Sequence, residues 1–529
     1  MVNSRCGRSA APGDNAAMTD IVLATLNSRY AHASLGLRCL RANLGELRER
    51  SCIREFVIGQ KTEEILEQIL AESPRIVGIG VYIWNVEETT RLVAQLKVVA
   101  PEVCVVLGGP EVSEASDPGR ICALADHVIT GWGDVSFAKL CVRVLAGAAP
   151  AARFIAGEQP PLESIVMPYG EYSDEDVARR HIYVEASRGC PFKCEFCLSA
   201  RDLTAWPFPL DPFLAQMERL WQRGVRRFKF LDRTFNLKID ASLAILGFFL
   251  AKLDADPADP PFVHFELVPD HLPERLKAAI ARFPEGSLQF EIGIQTFDAQ
   301  VQARISRRQK NDVAEANIRW LHQHSQAHLH VDLIAGLPGE DIDTFAAGFD
   351  RLVAMGPHEI QFGILKRLRG APIVRHVEAF GLRFNPEPPY NILATDAIDF
   401  ASMQRLSRFS RYWDIVANSG RYPQTTALIL GDAPFRHFLA LSDWLYAKTR
   451  QTHALAHERL VHLLHEHLCD ARELDAAVVD AALLADYRAA GGRTRLDFEP
   501  ADSLLPAPRP RKAAGATPSR QARHAGGDL

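Results

Sequence analysis

The sequence has few cysteines, no long apolar run and no strong excess of charge. Ten cysteines among 529 residues are too few and too scattered to form a disulfide framework. No apolar stretch is long enough to cross a bilayer, and residues 1–17 lack the apolar core of a secretory signal. A net charge of −5 offers no electrostatic attraction for nucleic acid or a membrane surface. We therefore expect a cytoplasmic protein with no membrane span and no nucleic-acid partner.

Three of the ten cysteines are concentrated in one short loop. They are Cys190, Cys194 and Cys197, with C-x3-C-x2-C spacing, and they follow a strand-like run at residues 182–187. Thiolates at such spacing can bind zinc or an iron–sulfur cluster. Structural zinc takes four closed ligands, and no further Cys or Cys/His pair follows at zinc-finger spacing. Three thiolates on a four-iron cluster leave one iron open, so the loop favours catalysis over a zinc knuckle or three incidental cysteines.

The loop, including Phe196 directly before its last cysteine, resembles that of the radical S-adenosylmethionine (radical SAM) enzymes. The resemblance implies a 4Fe-4S cluster on Cys190, Cys194 and Cys197, whose open iron binds S-adenosyl-L-methionine. Reductive cleavage of that molecule would give a 5′-deoxyadenosyl radical, with electrons from a donor such as flavodoxin or ferredoxin. An oxygen-sensitive cluster and unpaired thiols both favour a reducing cytoplasm.

Residues 19–148 alternate between strand and helix patterns. Helical patterns such as 63–72 and 86–99 separate short runs that are almost entirely apolar, as parallel strands covered on both faces require. The pattern predicts an α/β, doubly wound, Rossmann-like domain whose ligand binds beyond the carboxyl ends of the strands. The predicted strands are residues 21–26, 53–58, 76–83, 103–107 and 127–130.

The loops at those strand ends carry glycines, which let a backbone pass close to a bulky ligand. Together the segments resemble the cobalamin-binding domain that precedes the cluster domain in one branch of radical SAM enzymes. A dinucleotide site is the alternative, but G-x-G-x-x-G is absent after the first strand. The resemblance implies cobalamin contacts from His32, Tyr82, Trp84, Asn85, Gly108, Gly109, Gly131 and Gly133.

His32 has three possible roles in the first of these loops. The Asp-x-His-x-x-Gly signature of domains that ligate cobalt through histidine is absent, and His32 stands at a different spacing. It is therefore a lower cobalt ligand, a contact to the corrin or its nucleotide tail, or an ordinary loop residue.

A Pro/Ala/Gly-rich connection, residues 149–180, precedes a second series of strands and helices in residues 181–370. Six β/α units resemble the partial (β/α)6 barrel of radical SAM enzymes, an open relative of the eight-unit barrel. Cofactor residues should then lie at the carboxyl ends of the strands. The predicted strands are residues 182–187, 227–231, 262–267, 288–293, 329–334 and 359–363.

The resemblance places S-adenosylmethionine contacts at two of these strand ends. Asp232 stands where the family carries a Gly-Gly-Glu-like segment for the amino group; a helix cap or turn aspartate is the alternative. Glu291 and Gln295 resemble contacts to the ribose and methionine parts of the cofactor. Arg304, in the next helix, resembles a carboxylate-binding arginine. Interior polar residues that satisfy one another are the alternative for these three.

The fifth barrel strand resembles the adenine-binding segment of the family. Ile334 would pack on the base, and Gly336 would let the backbone approach it. The segment departs from the family pattern because Asp332 replaces a glycine and Glu340 is displaced by one position.

The remaining residues are less informative. Residues 371–495 have mostly helical patterns and resemble an uncharacterised C-terminal extension of one cobalamin-dependent subgroup. Residues 1–18 and 496–529 are expected to be disordered because Pro, Ala, Arg, Gly and Ser dominate them.

The combined resemblance implies a cobalamin-dependent radical SAM enzyme, a methyltransferase of the class B type. Its substrate would be an unactivated carbon of an unknown small molecule or lipid. The alternatives are a cobalamin-assisted rearrangement, cyclisation or oxidation without methyl transfer, and a non-catalytic corrinoid or redox sensor. RNA methylthiotransferases bring a further cluster domain and an RNA-binding β-barrel, and the sequence shows neither.

Overall fold

The apolar runs of the N-terminal part form one parallel sheet. The computed structural model describes residues 19–499 and 521–524, and the chain divides into two compact units between Ser173 and Asp174. The strands of the first unit are β1 Ile21–Asn27, β2 Ser51–Val57, β3 Ile76–Gly80, β4 Cys104–Gly108, β5 His127–Thr130 and β6 Phe154–Ala156. Its α-helices are α1 Leu35–Ala42, α2 Thr62–Leu70, α3 Val86–Val99 and α4 Asp134–Leu145.

Strand β1 shows that this sheet is covered on both faces. All seven of its residues are buried, and alternate residues join different cores. Val22, Ala24 and Leu26 belong to one hydrophobic cluster, whereas Ile21 and Leu23 belong to another. Two helical layers are needed to cover such a strand. The predicted doubly wound α/β architecture is confirmed.

The strand order of the first unit creates a point where the connections change direction. The order is β2-β1-β3-β4-β5-β6, with every neighbouring pair parallel. Because β2 lies on one side of β1 and β3 on the other, the loops after β1 and β3 leave the sheet at the switch point, where doubly wound sheets bind ligands. Strand β6 lies in the predicted connection and has only three residues, too few to form a recognisable apolar run.

Six parallel strands also form the main sheet of the second unit, in the order β14-β13-β12-β11-β10-β7. Each strand pairs with its predecessor in the β/α series, as predicted for a partial barrel. These strands are β7 Ile182–Val184, β10 Arg227–Phe230, β11 Phe262–Leu267, β12 Leu288–Gln295, β13 His328–Ala335 and β14 Glu359–Ile364. Two small antiparallel pairs are β8 Ser187–Arg188 with β9 Trp206–Pro207, and β15 Arg383–Phe384 with β16 Ile392–Ala394.

Helices follow the barrel strands and then continue alone towards the C-terminus. The helices of the barrel region are α5 Asp174–Arg179, α6 Leu210–Gln222, α7 Ile239–Ala255, α8 Glu274–Ile280, α9 Ala299–Arg304, α10 Asn311–His324 and α11 Ile342–Val353. The later helices are α12 Phe400–Ile415, α13 Pro423–Leu430, α14 Pro434–Thr449, α15 His457–Glu466, α16 Ala476–Ala489 and α17 Gln521–His524. A π-helix, His467–Ala471, directly follows α15. The predicted helical C-terminal region is confirmed.

Aromatic side chains attach the C-terminal helices to the barrel. The ring of Phe409 on α12 lies 4.8 Å from Phe362 on β14 and 5.2 Å from Phe349 on α11, measured between ring centroids. On its other side it lies 4.8 Å from Phe438 on α14. We call this cluster the aromatic seam; its members are Phe349, Phe362, Phe409, Trp413, Phe435 and Phe438.

Two predicted terminal segments fall largely outside the described residues. Residues 1–18 lie outside them, as do residues 500–520 and 525–529 of the predicted tail. Within the described part of the tail, Gln521 is buried and donates to the side chain of Gln289. Arg523 donates to the carbonyl of Ser419 at 2.8 Å. In the described part of the chain, no helix has both the length and the apolar character needed to span a membrane.

Candidate functional site

The three loop cysteines line one cavity at the carboxyl ends of the barrel strands. The cavity has about 860 Å³ of empty volume, its open mouth included, and Phe196 also lines it. Charged residues from the strand ends and the following turns complete the wall: Arg233, Glu266, Asp270, Glu291, Arg307, Arg308 and Asp332.

The cysteines suit a cluster better than a single ion. Cys190 and Cys194 are each 9% exposed; burial raises the pKa of Cys190 to about 11 and also raises the pKa of Cys194. Among residues 19–499 and 521–524, no three His, Cys, Asp or Glu side chains are grouped to hold one metal ion. A four-iron cluster does not need converging sulfurs, because each thiolate binds a different iron. Metal binding would displace the thiol protons that burial retains.

Arg307 lies beside this loop, whereas Arg304 lies elsewhere. Arg307 donates from Nη1 to Cys194 Sγ at 3.7 Å and from Nη2 to the carbonyl of Gly293. Arg304 donates to the carbonyls of Pro338 and Gly339, both at 3.3 Å, and it does not line the cavity. The resemblance favoured Arg304 as a carboxylate-binding arginine, but α9 ends there and the following turn carries Arg307 to the cysteines.

Strand β12 ends in a bulge that turns Gln295 into the cavity. The pairing register shifts between Gly293 and Gln295, and Gln295 has a φ of +71°, which is rare for a residue with a side chain. A Cβ at position 293 would lie 2.4 Å from Gln295 Nε2, so a larger residue there would displace the end of the Gln295 side chain. Strained backbone of this kind is concentrated at functional sites.

Two buried polar atoms face the cavity without a partner. Neither Gln295 Oε1 nor Asp332 Oδ1 has a hydrogen-bond partner within the residues that the structure describes. The Nε2 atom of His330 lies 3.6 Å from Asp332 Oδ1, which is too long for a hydrogen bond. Because buried polar atoms are nearly always satisfied, these two fit a bound polar molecule. Asp332 was visible in the sequence as a glycine replacement but was not selected as a site residue.

Three of the four carboxyl groups that line the cavity differ in the direction of their pKa shifts. Burial opposes ionisation of Glu291, but a contact of 3.3 Å from His264 Nε2 and nearby positive charges hold its pKa below the ordinary value. Burial raises the pKa of Glu266, although Arg233 donates to it at 2.6 Å. Burial and these two acidic neighbours raise the pKa of Asp332 well above its usual range. Asp332 therefore holds a proton more readily than an ordinary aspartate, and in its protonated form it can donate a hydrogen bond.

Asp232 is not among the residues that line the cysteine cavity, but it lies next to them. It is 2% exposed, accepts from the Ser187 hydroxyl at 2.6 Å and accepts from the Ala186 N–H at 2.9 Å. Burial raises its pKa to about 7. It lines a neighbouring cavity of about 890 Å³, and Thr234 borders both cavities. Asp232 thus connects the end of β10 to the segment before the cysteine loop.

Ile334 and Gly336 are not among the residues that line the cysteine cavity. Gly336 has a φ of +88°, and a Cβ there would lie 2.7 Å from Ile392 and 3.1 Å from Met403. The backbone at this point therefore packs closely against the segments that follow the barrel.

Glu340, just after β13, is a buried acid with a structural role. It is 2% exposed, its Oε1 accepts from the hydroxyl of Thr296, and its Oε2 has no partner among the described residues. Burial raises its pKa to about 8. The folded state therefore favours the protonated acid, and stability from this group is complete below its unfolded pKa and falls as pH rises towards 8.

We expect Glu340→Gln to remove this pH dependence. Between pH 5 and pH 9 the wild type should lose roughly 2–4 kcal/mol through Glu340, since each pH unit between the two pKa values costs about 1.4 kcal/mol before local relaxation. Chemical denaturation at both pH values would measure the difference. Glu274→Gln, at a side chain 86% exposed, is the control and should leave the pH profile unchanged. An unaltered profile in Glu340→Gln would contradict the assignment.

In the first unit, aromatic residues mark the switch point. Tyr82 and Trp84, directly after β3, stack with ring centroids 4.5 Å apart and planes 7° apart, and Trp84 is 47% exposed. Asn85 is fully buried and donates to the carbonyls of Leu26 and Gly80. Asn85 therefore fixes the turn, while the exposed face of Trp84 fits a flat, bulky ring system.

The glycines of this edge divide into two kinds. A Cβ on Gly109 would lie 2.5 Å from the Val81 carbonyl oxygen, and one on Gly133 would lie 2.9 Å from Leu40. These two glycines serve packing within the unit. Gly131 has a φ of +74° and open space where a Cβ would be, and Gly108 has its nearest such neighbour at 3.9 Å. These two leave room for a ligand at the edge.

His32 is placed in the loop after β1, at the same switch point. Its carbonyl accepts from the side chain of Asn27 at 2.9 Å, and its N–H donates to the carbonyl of Arg29 at 3.1 Å. The backbone of the loop is therefore fixed beside the strand end.

Three family models match successive parts of the chain. Residues 21–141 match the B12 binding domain, and residues 184–352 match the Radical SAM superfamily. Residues 378–497 match a family of proteins of unknown function, DUF4080.

Two curated relatives match part of the chain. The chain is 25% identical over 356 residues to the cobalamin-dependent radical SAM methyltransferase TokK of Streptomyces tokunonensis, a match that covers 60% of this chain and 51% of TokK. It is 24% identical over 361 residues to the 2-(S-pantetheinyl)-carbapenam-3-carboxylate methyltransferase of Streptantibioticus cattleyicolor, with 60% and 51% covered. The chain thus spans about half the length of the curated relatives it matches.

A solved structure shares the fold over most of the chain. The cobalamin-dependent S-adenosylmethionine radical enzyme OxsB with aqua-cobalamin bound matches with a TM-score of 0.62 and 12% identity, over 89% of this chain and 81% of OxsB. With a B12 binding domain before a Radical SAM domain, this chain belongs to the cobalamin-binding radical SAM enzymes, whose cofactors are a 4Fe-4S cluster, S-adenosylmethionine and cobalamin.

Proposed function

We propose that the chain methylates an unactivated carbon of a small-molecule or lipid substrate. The observation that carries the proposal is one cavity in which three loop cysteines meet the unpartnered atoms Gln295 Oε1 and Asp332 Oδ1. The B12 binding domain and the methyltransferases among the relatives support transfer of a methyl group. When bound, the three cofactors supply an electron, a radical source and a methyl carrier.

In this proposal the residues of the cavity bind and orient. Cys190, Cys194 and Cys197 would hold three irons and leave the fourth open to the cavity. Arg307 would offset negative charge beside Cys194. Gln295 and Asp332 would bind polar groups of the molecule at the open iron, Asp332 as a hydrogen-bond donor while it keeps its proton.

In the first unit, the exposed face of Trp84 and the open positions at Gly108 and Gly131 would receive the corrin. Tyr82 supports Trp84 from behind, because the two rings are stacked. Asn85 would act indirectly by fixing the turn that carries both rings.

The proposed setting is a reducing cytoplasm. None of the nine cysteines that the structure describes is in a disulfide bond, as is usual for proteins kept in reducing compartments. An electron donor such as flavodoxin or ferredoxin would reduce the cluster. No nucleic-acid partner is expected.

The test follows the fate of S-adenosylmethionine in the anaerobically reconstituted full chain. The protein is loaded with iron, sulfide and cobalamin, given a strong reductant, and analysed by mass spectrometry. We expect both 5′-deoxyadenosine and S-adenosylhomocysteine, since radical generation and methyl donation consume separate molecules of S-adenosylmethionine. Parallel reactions without cobalamin should lose S-adenosylhomocysteine and keep 5′-deoxyadenosine.

The other outcomes separate the alternatives. 5′-Deoxyadenosine alone from a fully loaded protein would support a rearrangement, cyclisation or oxidation without methyl transfer. Neither product, with and without candidate substrates, would support a corrinoid or redox sensor.

A further inference from the structure

Glu195 is a buried acid inside the cysteine loop, between Cys194 and Phe196. It is 2% exposed, and it is not among the residues that line the cysteine cavity. A carboxylate at this depth is unfavourable unless its oxygens are hydrogen-bonded and its charge is compensated. The partners of Glu195 come from two distant segments of the second unit.

The first segment is the turn after α9. The N–H of Glu195 donates to the carbonyl of Ile305 at 3.0 Å, and the hydroxyl of Ser306 donates to Glu195 Oε1. The next residue, Arg307, donates to Cys194 Sγ at 3.7 Å. Three successive residues of this turn therefore hold the backbone, the carboxylate and the adjacent thiol of the loop.

The second segment is the 3-10 helix Pro372–His376, after the last barrel strand. The N–H of Ile373 donates to the carbonyl of Glu195 at 2.8 Å. The guanidinium of Arg375 donates to Glu195 Oε1, and His376 Nε2 lies 2.7 Å from Oε2. This short helix leads directly into the region that matches DUF4080, residues 378–497.

The loop needs such anchors because regular structure does not hold it. Residues 189–197 contain neither helix nor strand, yet a cluster requires three thiolates at fixed separations. Arg375 is 58% exposed, so its ion pair alone would contribute little. The buried carboxylate of Glu195 matters more than the exposed guanidinium. Removal of its partners would leave a charged, uncompensated group inside the protein.

We propose that Glu195 is a positioning residue that fixes the cysteine loop to residues 373–376, so that the start of the C-terminal region completes the cluster site. The proposal rests on the part of the proposed function that places a 4Fe-4S cluster on the three cysteines. It assigns a role to the residues that lead into a region of otherwise unknown function.

The test compares cluster retention in the full chain among wild type, Glu195→Gln, Arg375→Met and the double variant. Arg375→Met changes an exposed side chain and is expected to fold. Glu499→Gln is the matched control, because the Glu499 side chain is 4% exposed and is likewise paired with an arginine, Arg488, but lies far from the loop in sequence. Each protein is reconstituted anaerobically; iron release to a chelator and the reduction potential of the cluster by electron paramagnetic resonance are measured.

We expect iron release roughly 10-fold faster or more in each single variant, as for other residues that support metal ligands. The charge changes should move the potential in opposite directions, upward in Glu195→Gln, which loses a negative charge, and downward in Arg375→Met, which loses a positive one. The double variant should release iron no faster than the faster single variant, because the two residues act as one pair. Wild-type release rate and potential in Glu195→Gln and Arg375→Met would overturn the proposal. Equal loss in Glu499→Gln would also overturn it, since general destabilisation would then explain the effect.

The result of this cluster-retention test does not depend on whether the protein transfers a methyl group. Wild-type protein that retains a cluster but does not cleave S-adenosylmethionine overturns the proposed function alone. Wild-type protein that takes up no cluster overturns both.

Discussion

Replacement of Cys190 with alanine is expected to abolish the reductive cleavage of S-adenosylmethionine. Cys190 is 9% exposed and lines the same cavity as Cys194 and Cys197. With two thiolates left, the remaining loop cannot hold three irons of a four-iron cluster, so the cavity loses its electron source. Formation of 5′-deoxyadenosine should fall by roughly 1000-fold or more, to the background of unbound iron.

The matched control for this variant is Cys469→Ser. Cys469 belongs to the same unit but lies in the π-helix after α15, away from the cavity lining. The Cys469→Ser variant should keep the iron content and the 5′-deoxyadenosine yield of the wild type. Cobalamin uptake should be unchanged in both variants, because the residues proposed to bind it lie in the first unit. Wild-type cleavage by Cys190→Ala would show that the cluster is held in another way.

The second large effect is expected from Phe409→Ala in the aromatic seam. Phe409 is fully buried, and its ring contacts aromatic rings from β14, α11 and α14. Truncation would leave a cavity that these rigid rings cannot fill, which costs about 3–5 kcal/mol. Urea denaturation followed by tryptophan fluorescence should show an earlier transition, since Trp413 belongs to the same cluster.

Phe400→Ala is the control for the seam. Phe400 begins the same helix but is 57% exposed, so its truncation should change the free energy of unfolding by less than about 0.5 kcal/mol. A loss of less than about 1 kcal/mol in Phe409→Ala would mean that the C-terminal helices do not depend on the seam for their attachment.

The fold could be predicted because its strands have a strong sequence signal. Strand β1 is covered on both faces, so its residues form a short apolar run between turns, whereas β13 shows an alternation of buried and half-buried residues along most of its length. The cysteine loop could be predicted for a different reason, since three thiols within eight residues have few explanations. In both cases the information lies in neighbouring residues of the sequence.

The parts of the candidate site that the sequence did not reveal depend on contacts between residues that are far apart in the sequence. Arg307 approaches Cys194 because α9 ends at Arg304, and no local pattern distinguishes the two arginines. Asp332 and Gln295 each have a buried oxygen with no hydrogen-bond partner among the described residues, and they lie where strands β12 and β13 pair through a bulge. Asp232 stands at the predicted strand end but binds Ser187, which the sequence places 45 positions earlier.

The anchoring of Glu195 also sets an order of events during synthesis. Arg375 is 180 residues further along the chain than Glu195. At about 5–20 residues per second, a ribosome needs roughly 10–40 s to cover that distance. Throughout this interval the three cysteines have been translated but lack their second anchor. Iron delivered during translation would therefore meet an incomplete site. Under this proposal the cluster would be inserted after residue 376 has left the ribosome.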